Sequence, residues 1–281
     1  MSNIDPKVLR QKVENLNTLP TVPGALQRLS AIMEKPRITL VEISAFISND
    51  PALTTKVLKM VNSAIYGFPG RIASVSHATM LLGLNVIKGL LLGVSVFEWM
   101  QKTMKGLYEH SLACAVASRV IAQKKGLKEP EEVSVAGLLH DLGISVVHRF
   151  MHSDFVAIHD LVANGISYND AELQVLGLSH GEIGESLLKY WNIPELISDV
   201  VKYHHQPYLS QQAPTLASVI HLADYMTQML KMGELKMDTI AELDHHIFST
   251  LHVKDLTELA HFIEGYREPL KAQLESLKYL I

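Results

Sequence analysis

Seven residues in the second part of the chain have the types and order of a metal site: His110, His140 with Asp141, His180, His204 with His205, and Asp224. Only His77 of the 14 histidines precedes residue 110, so imidazole chemistry belongs to that second part. Five imidazoles and two carboxylates form a mixed nitrogen and oxygen donor set suited to a divalent first-row metal such as Fe, Mn, Zn or Ni. The same set is large enough for two ions if all seven converge. Taken singly, each residue has a structural alternative. A buried histidine is commonly satisfied by a backbone carbonyl, and either aspartate can cap a helix.

Helical spacing is what turns these side chains inward. Leu107, Cys114, Ala117 and Ile121 share a 3.6-residue stripe with His110. Val133, Ala136, Gly137 and Ile144 mark the inner face of a helix entered near Glu131, with His140 and Asp141 beside it and Gly143 placed to end it in a left-handed cap. On that reading Asp141 lies in a last turn, facing the negative end of the helix dipole, and requires a compensating partner. Ser179-His180-Gly181-Glu182 is a capping box that sets His180 at a helix start. In a helix opened by Pro194, the four-residue steps Leu196-Val200-His204 and Ile197-Val201-His205 carry both histidines to the apolar side. Leu216, Ile220 and Ala223 form a stripe with Asp224 at its edge. His148, His152, His159 and the pair His245-His246 lack this ordering and read as surface or packing residues. Lys124, Lys125 and Lys128 read as a solvated basic loop.

The first part supplies helices without such chemistry. Thr39-Leu40-Val41-Glu42 is a capping box, and Asp50-Pro51 an N-cap followed by a first-turn proline, opening a helix expected to stop near Asn62. Residues 62–76, with Gly67, Pro69 and Gly70, predict a connection ending in a Ser76 cap. Gly89 and Gly93, on a helix expected from about Asn85, predict a close helix neighbour. No persuasive period-2 alternation interrupts these patterns, so the fold class is all-α.

Composition narrows the setting. The 281 residues are 48% hydrophobic, 6% aromatic and 19% charged, which predicts a large aliphatic core. With 25 Lys plus Arg against 29 Asp plus Glu, a net charge of −4 argues against general nucleic-acid or membrane binding through bulk charge. The single Cys114 excludes an intrachain disulfide and a cysteine zinc knuckle, which fits a reducing, cytoplasmic setting. The first residues have no signal-peptide pattern. The apolar stretch from Gly89 to Phe97, bounded by Lys88 and Glu98, reads as too short to span a bilayer. Without repeats or flexible linkers, any two lobes are expected to be fused.

The residues also carry a family resemblance over about residues 17 to 226. Leu19-Pro20 with Val22-Pro23, Asn49-Asp50-Pro51-Ala52-Leu53-Thr54, Val61-Asn62-Ser63-Ala64-Ile65-Tyr66-Gly67 and Leu82-Gly83 stand in the first part. Ala136-Gly137-Leu138-Leu139-His140-Asp141-Leu142-Gly143, His180-Gly181-Glu182, Trp191-Asn192-Ile193-Pro194 and His204-His205-Gln206-Pro207 follow. Together they resemble an HDOD-domain protein, a signalling branch of the HD phosphohydrolase superfamily. The resemblance implies an N-terminal helical lobe packed on an HD-like helical core. Residues 1–16 would form an N-terminal helical segment, 17–230 the HDOD domain with its core at about 105–230, and 231–281 a C-terminal helical extension.

Many members of that branch have lost superfamily ligands, whereas this chain keeps all seven positions. The set resembles that of active HD and HD-GYP phosphodiesterases, in which bound metal activates water and orients phosphate. Three departures point away from cyclic dinucleotide hydrolysis. Leu142-Gly143-Ile144 stands where those enzymes reach a lysine, and Gly106 stands where an acid is expected. No Asp-Gly-x-Gly-Tyr-Pro loop follows His205. The first functional expectation is therefore a regulatory module with a retained metal site, acting through a protein partner. The alternative is a metal-dependent phosphohydrolase with a phosphate- or nucleotide-bearing ligand, in which His110, His140, Asp141 and Asp224 are primary ligands and His180, His204 and His205 bind a second ion or phosphate.

Overall fold

A computed structural model describes residues 32, 35, 37–63, 65–232 and 243–277. Among them every regular element is helical, as the patterning predicts. The N-terminal segment 1–16 and the Leu19-Pro20 and Val22-Pro23 motifs lie outside the described residues.

Three helices build the first part: α1 (Leu40–Ser48), α2 (Pro51–Val61) and α3 (Val75–Thr103). Both predicted starts form. Thr39 Oγ1 accepts from the Glu42 backbone N–H while the Glu42 carboxylate accepts from that of Thr39, and Asp50 Oδ1 accepts from Ala52 and Leu53. Asn62 ends α2 and then clamps the connection, with Oδ1 accepting from the Ile72 N–H at 2.7 Å and Nδ2 donating to the Ile72 carbonyl at 2.8 Å.

One expectation here needs correction, the position of the cap. The cap of the next helix is Ser74, whose Oγ accepts from the His77 N–H, because the helix begins at Val75 and leaves Ser76 inside its first turn. The helix expected from about Asn85 does start afresh just before that residue, after a non-helical glycine. The break is at Gly83, with φ 76° and ψ 171°, a conformation that only glycine adopts readily. Beyond it Gly89 lies against Val135, the close neighbour expected of that glycine. The apolar stretch is also longer than Gly89 to Phe97. Val75–Val94 is long and apolar enough to cross a bilayer, at mean hydropathy 1.5, yet 67% of that window is buried inside the fold.

The second part comprises α4 (Lys105–Lys124), α5 (Pro130–Leu139), α6 (Leu142–Phe150), α7 (His152–Ala163), α8 (Tyr168–Leu176), α9 (His180–Tyr190), α10 (Glu195–Tyr203) and α11 (Pro214–Met229). It is followed by α12 (His246–Thr250), α13 (Leu256–Gly265) and α14 (Arg267–Leu277). Helix α5 packs against α4, α3, α10 and α11, and α9 packs against α10 and α6. The two parts share one core and are joined by polar ties as well. Arg119 Nη2 donates to the Tyr66 carbonyl at 2.6 Å, and Lys88 Nζ donates to the Asn192 carbonyl at 3.4 Å.

Gly143 does not cap α5 as expected. That helix ends at Leu139, and Gly143 lies inside α6. Its role is close approach: a Cβ there would fall 2.0 Å from the His180 carbonyl oxygen. Because that obstacle is backbone, Gly143→Ala must push α6 away from α9. It should lower stability by about 1–3 kcal/mol, read as a reduced denaturation midpoint. An unchanged midpoint would show that the two helices are not locked together here.

Candidate metal centre

Asp141 is placed by the break between two helices. α5 ends at Leu139, His140 follows as its C-cap, and Asp141 stands at the N-cap position of α6. The carboxylate therefore faces the positive end of the α6 dipole, not the negative end of a last turn as the sequence suggested, and its charge is favoured there. It makes no capping bond with its own helix; its oxygens face histidines instead. Oδ2 lies 3.1 Å from His140 Nε2 and 3.5 Å from His110 Nε2. Oδ1 lies 3.5 Å from His180 Nε2 and 3.6 Å from His204 Nε2.

The other donors close around this carboxylate. His110, on α4, has Nε2 3.0 Å from Oδ1 of Asp224, which comes from α11. Ser179 and Glu182 form the predicted capping box, fixing His180 at the first position of α9. His204 ends α10 and His205 follows it, with the two ring centroids 4.0 Å apart. His204 is buried, while the His205 side chain is 30% exposed and its Nε2 lies 3.1 Å from His180 Nε2. The structure thus brings all seven predicted residues together, with six of them buried. Three overlapping trios, His110-His140-Asp141, His140-His204-Asp224 and His180-His204-His205, each present donor atoms within 4.8 Å of one another.

The hydrogen bonds decide which nitrogen of each ring is available. His140 Nδ1–H donates to the Gly137 carbonyl at 2.8 Å, and His204 Nδ1–H to the Val201 carbonyl at 2.6 Å. His180 Nδ1–H donates to Glu172 Oε2 at 2.7 Å. Thr227 Oγ1 spends its proton on the Asp224 carbonyl and can only accept from His110 Nδ1–H, at 3.4 Å. In the neutral rings every one of these Nε2 atoms then carries a lone pair. Those lone pairs face one another at 3.3 Å between His110 and His140 and at 3.2 Å between His180 and His204, and they also face carboxylate oxygens. Such an arrangement is repulsive until a cation stands among the donors. On this chemistry the residues fit a divalent metal.

Sequence reasoning missed two supporting residues. Glu172 on α8 is fully buried and accepts from both the backbone N–H and the ring of His180; its signal was the buried four-residue step Tyr168-Glu172-Leu176. His221 on α11 donates from Nδ1 to the His204 carbonyl and accepts at Nε2 from the Asp244 N–H, tying the chain before α12 to the metal-facing turn. The step Ala217-His221 beside a continuous apolar run was its signal. His246 is exposed and pairs with Asp244, and His148 packs edge-on against Phe155, as expected of surface and packing histidines.

Comparison with known proteins places this architecture. Residues 19–207 match the HDOD domain. The chain belongs to the HDOD family. The matched segment ends before Asp224, so the HDOD core draws its last carboxylate from α11, beyond the match. A crystal structure of an HDOD-domain protein of unknown function from Geobacter sulfurreducens is 25% identical. It superposes with TM-score 0.69 over 98% of each chain. A Shewanella amazonensis protein described as a phosphohydrolase candidate shares the fold at 22% identity and TM-score 0.67, over 96% of this chain and 97% of its own. An uncharacterized protein of Treponema pallidum (strain Nichols) is 27% identical over 240 residues, 83% of this chain. This HDOD chain spans only 47% of the length of that relative.

In the metal-free protein, protons must do what a cation would. Burial opposes charging His180, but Glu172 and Asp141 outweigh it and raise its pKa to about 9. Burial likewise opposes charging His110 and His140, and the neighbouring Asp224 and Asp141 outweigh it and raise both. Burial and the surrounding imidazoles hold His204 well below the ordinary histidine range. Burial works against Asp141 and Asp224 too, but their histidine partners hold both below the usual carboxylate range.

The signs fix a pH profile. A raised histidine contributes stability that is complete below its ordinary value of 6.5 and is lost, for His180, as pH rises through about 9. His204 stays neutral when folded but takes a proton when unfolded, so stability also falls as pH drops below 6.5. The lowered aspartates extend that loss below their ordinary value of 3.8. Chelator-treated protein should therefore be most stable near pH 6.5 and weaken on both sides, measured as urea midpoints across pH. A midpoint still rising between pH 7 and 9 would contradict this charge assignment.

Proposed function

We propose that this HDOD protein is a cytoplasmic signal-transduction module whose helical surface acts through a protein partner and whose HD-type centre holds one or two divalent metal ions. His110, His140, Asp141 and Asp224 would hold one ion, and His180, His204 and His205 a second, with Asp141 turned toward both groups. The observation that carries the reading is the commitment of the Nδ1 protons of His140, His180 and His204 to protein acceptors, which points three Nε2 lone pairs at one another and at Asp141. A histidine retained only for packing needs no such convergence.

Burial supports the regulatory reading over catalysis. Six of the seven donors are buried, with Asp141 at 5% exposure and the others below that, so the helices enclose most of the donor set. Positions 142–144, where related phosphodiesterases reach a lysine, are occupied by buried Leu142, Gly143 and Ile144. The segment leads into core packing and presents no cation for phosphate.

One feature favours phosphohydrolysis as a second reading. His205 reaches solvent while its Nε2 remains beside His180, giving a phosphate oxygen one direction of approach. When bound there, a divalent ion would supply Lewis acidity toward phosphate and water. His205 and His180 would orient the group, and the enclosing helices would exclude bulk water.

Elemental analysis of gently purified, tag-free protein beside Asp141→Ala tests the centre. Wild type should carry near-stoichiometric Fe, Mn, Zn or Ni, and the variant should lose most of it. Phosphomonoester and cyclic-nucleotide assays then separate the readings. The regulatory reading expects wild-type turnover no higher than that of the variant, and metal-dependent turnover abolished in Asp141→Ala would replace it with the hydrolase. Wild type that stays metal-free after reconstitution would overturn both.

A further inference from the structure

The histidines of the centre are not held alike. His140 and His204 give their Nδ1 protons to backbone carbonyls, but His180 gives its proton to a carboxylate, Glu172 Oε2 at 2.7 Å. The same oxygen accepts the His180 backbone N–H at 2.8 Å, so a single atom fixes both the start of α9 and the rotation of the ring. Glu172 is fully buried, and its other oxygen, Oε1, has no hydrogen-bond partner among the described residues. A carboxylate kept in the interior with one oxygen unsatisfied carries a penalty that helix structure alone does not require, because the Ser179-Glu182 capping box already serves this helix start. Its placement makes sense through what it does to Nε2 on the far side of the ring. A carboxylate partner locks the tautomer and raises the electron density of the opposite nitrogen more than a carbonyl does.

We propose that Glu172 is the positioning residue that makes His180 the strongest imidazole donor of the second subsite and so sets whether that subsite fills. This rests on the metal-centre reading above. Glu172 touches neither the ion nor a substrate; it acts through His180. The first subsite, built on His110, His140, Asp141 and Asp224, has no such dependence.

The test is calorimetric titration of chelator-treated full-length protein with Mn(II) and with Zn(II), alongside the visible spectrum of the Co(II)-loaded form. Wild type is compared with Glu172→Gln, Glu172→Ala, His180→Ala and Asp141→Ala. Glu172→Gln keeps the side-chain shape and an acceptor for the ring N–H but removes the charge. It should weaken the second binding event by roughly 10–100-fold, leave the first intact, and shift the Co(II) bands toward those of His180→Ala. A role confined to packing predicts instead a lowered unfolding midpoint with both affinities unchanged. Wild-type affinity for every ion in Glu172→Gln, with an unaltered Co(II) spectrum, would overturn the inference while leaving the metal centre standing. Wild type that binds no ion would overturn the centre and this inference together. If Glu172→Ala does not fold, the near-isosteric Gln variant still decides.

Discussion

Asp141 is the constraint around which the fold is arranged. A carboxylate in an interior of this kind is tolerated only with positive charge or donors on several sides, and it finds them on separate helices. His110 approaches from α4, His140 from the end of α5, His180 from the start of α9 and His204 from the end of α10. Four elements must therefore meet at one point, and the packing of the second part follows from that meeting. The α6–α9 contact is so close that position 143 has no room for a side chain, since the His180 backbone fills the space. Moving α6 outward by the width of a methyl group would carry Asp141 away from His180 and His204.

The first part is coupled to this centre through the helices it covers. Helix α3 packs on α5, which ends at His140, and Lys88 of α3 bonds the turn between α9 and α10. The Asn62 clamp and the Tyr66 carbonyl, which receives Arg119 of α4, fix the connection that delivers α3. The first part is thus packed on or bonded to elements bearing His110, His140, His180 and His204. At the opposite end, His221 holds the chain before α12 to the His204 carbonyl. Elements before and after the donor-bearing helices are thus both bonded to the segments that carry the donors.

Much of this was legible in the sequence, and the reasons are local. The capping boxes at Thr39 and Ser179 and the Asp50-Pro51 start are set by neighbours three residues away, so their side-chain bonds follow from the residues themselves. The inward placement of six of the donors followed from helical spacing and, for His180, from its capping box, and HDOD membership from motifs shared along the chain. The misreadings have a common physical origin. Gly143 carries the residue type of a left-handed cap, but it is selected by an approach from α9, 37 residues away, that no local pattern encodes. Once Gly143 is taken as a helix end, Asp141 is assigned to the wrong end of a dipole. Ser74 and Ser76 are equally good caps in isolation, so residue type alone does not choose between them. Glu172 was missed because a charged residue on a helix reads as solvent-facing unless its buried neighbours at four-residue steps are weighed together.

The donor set also separates two properties that the resemblance alone would join. Holding an ion requires convergence and the correct tautomers, and both are built into backbone carbonyls and one carboxylate behind the rings. Turning over a phosphate ester further requires an approach for the substrate and a cation to receive its charge. Here the segment following His140-Asp141 is committed to the core by Leu142 and Ile144, each 3% exposed. A lysine at these positions would have to be buried or would have to open the α6–α9 contact that sets Asp141. Catalytic electrostatics and the close packing that builds this centre therefore compete for the same three residues. The sequence resolves that competition toward packing, and His205 is left as the one partly exposed member of the donor set.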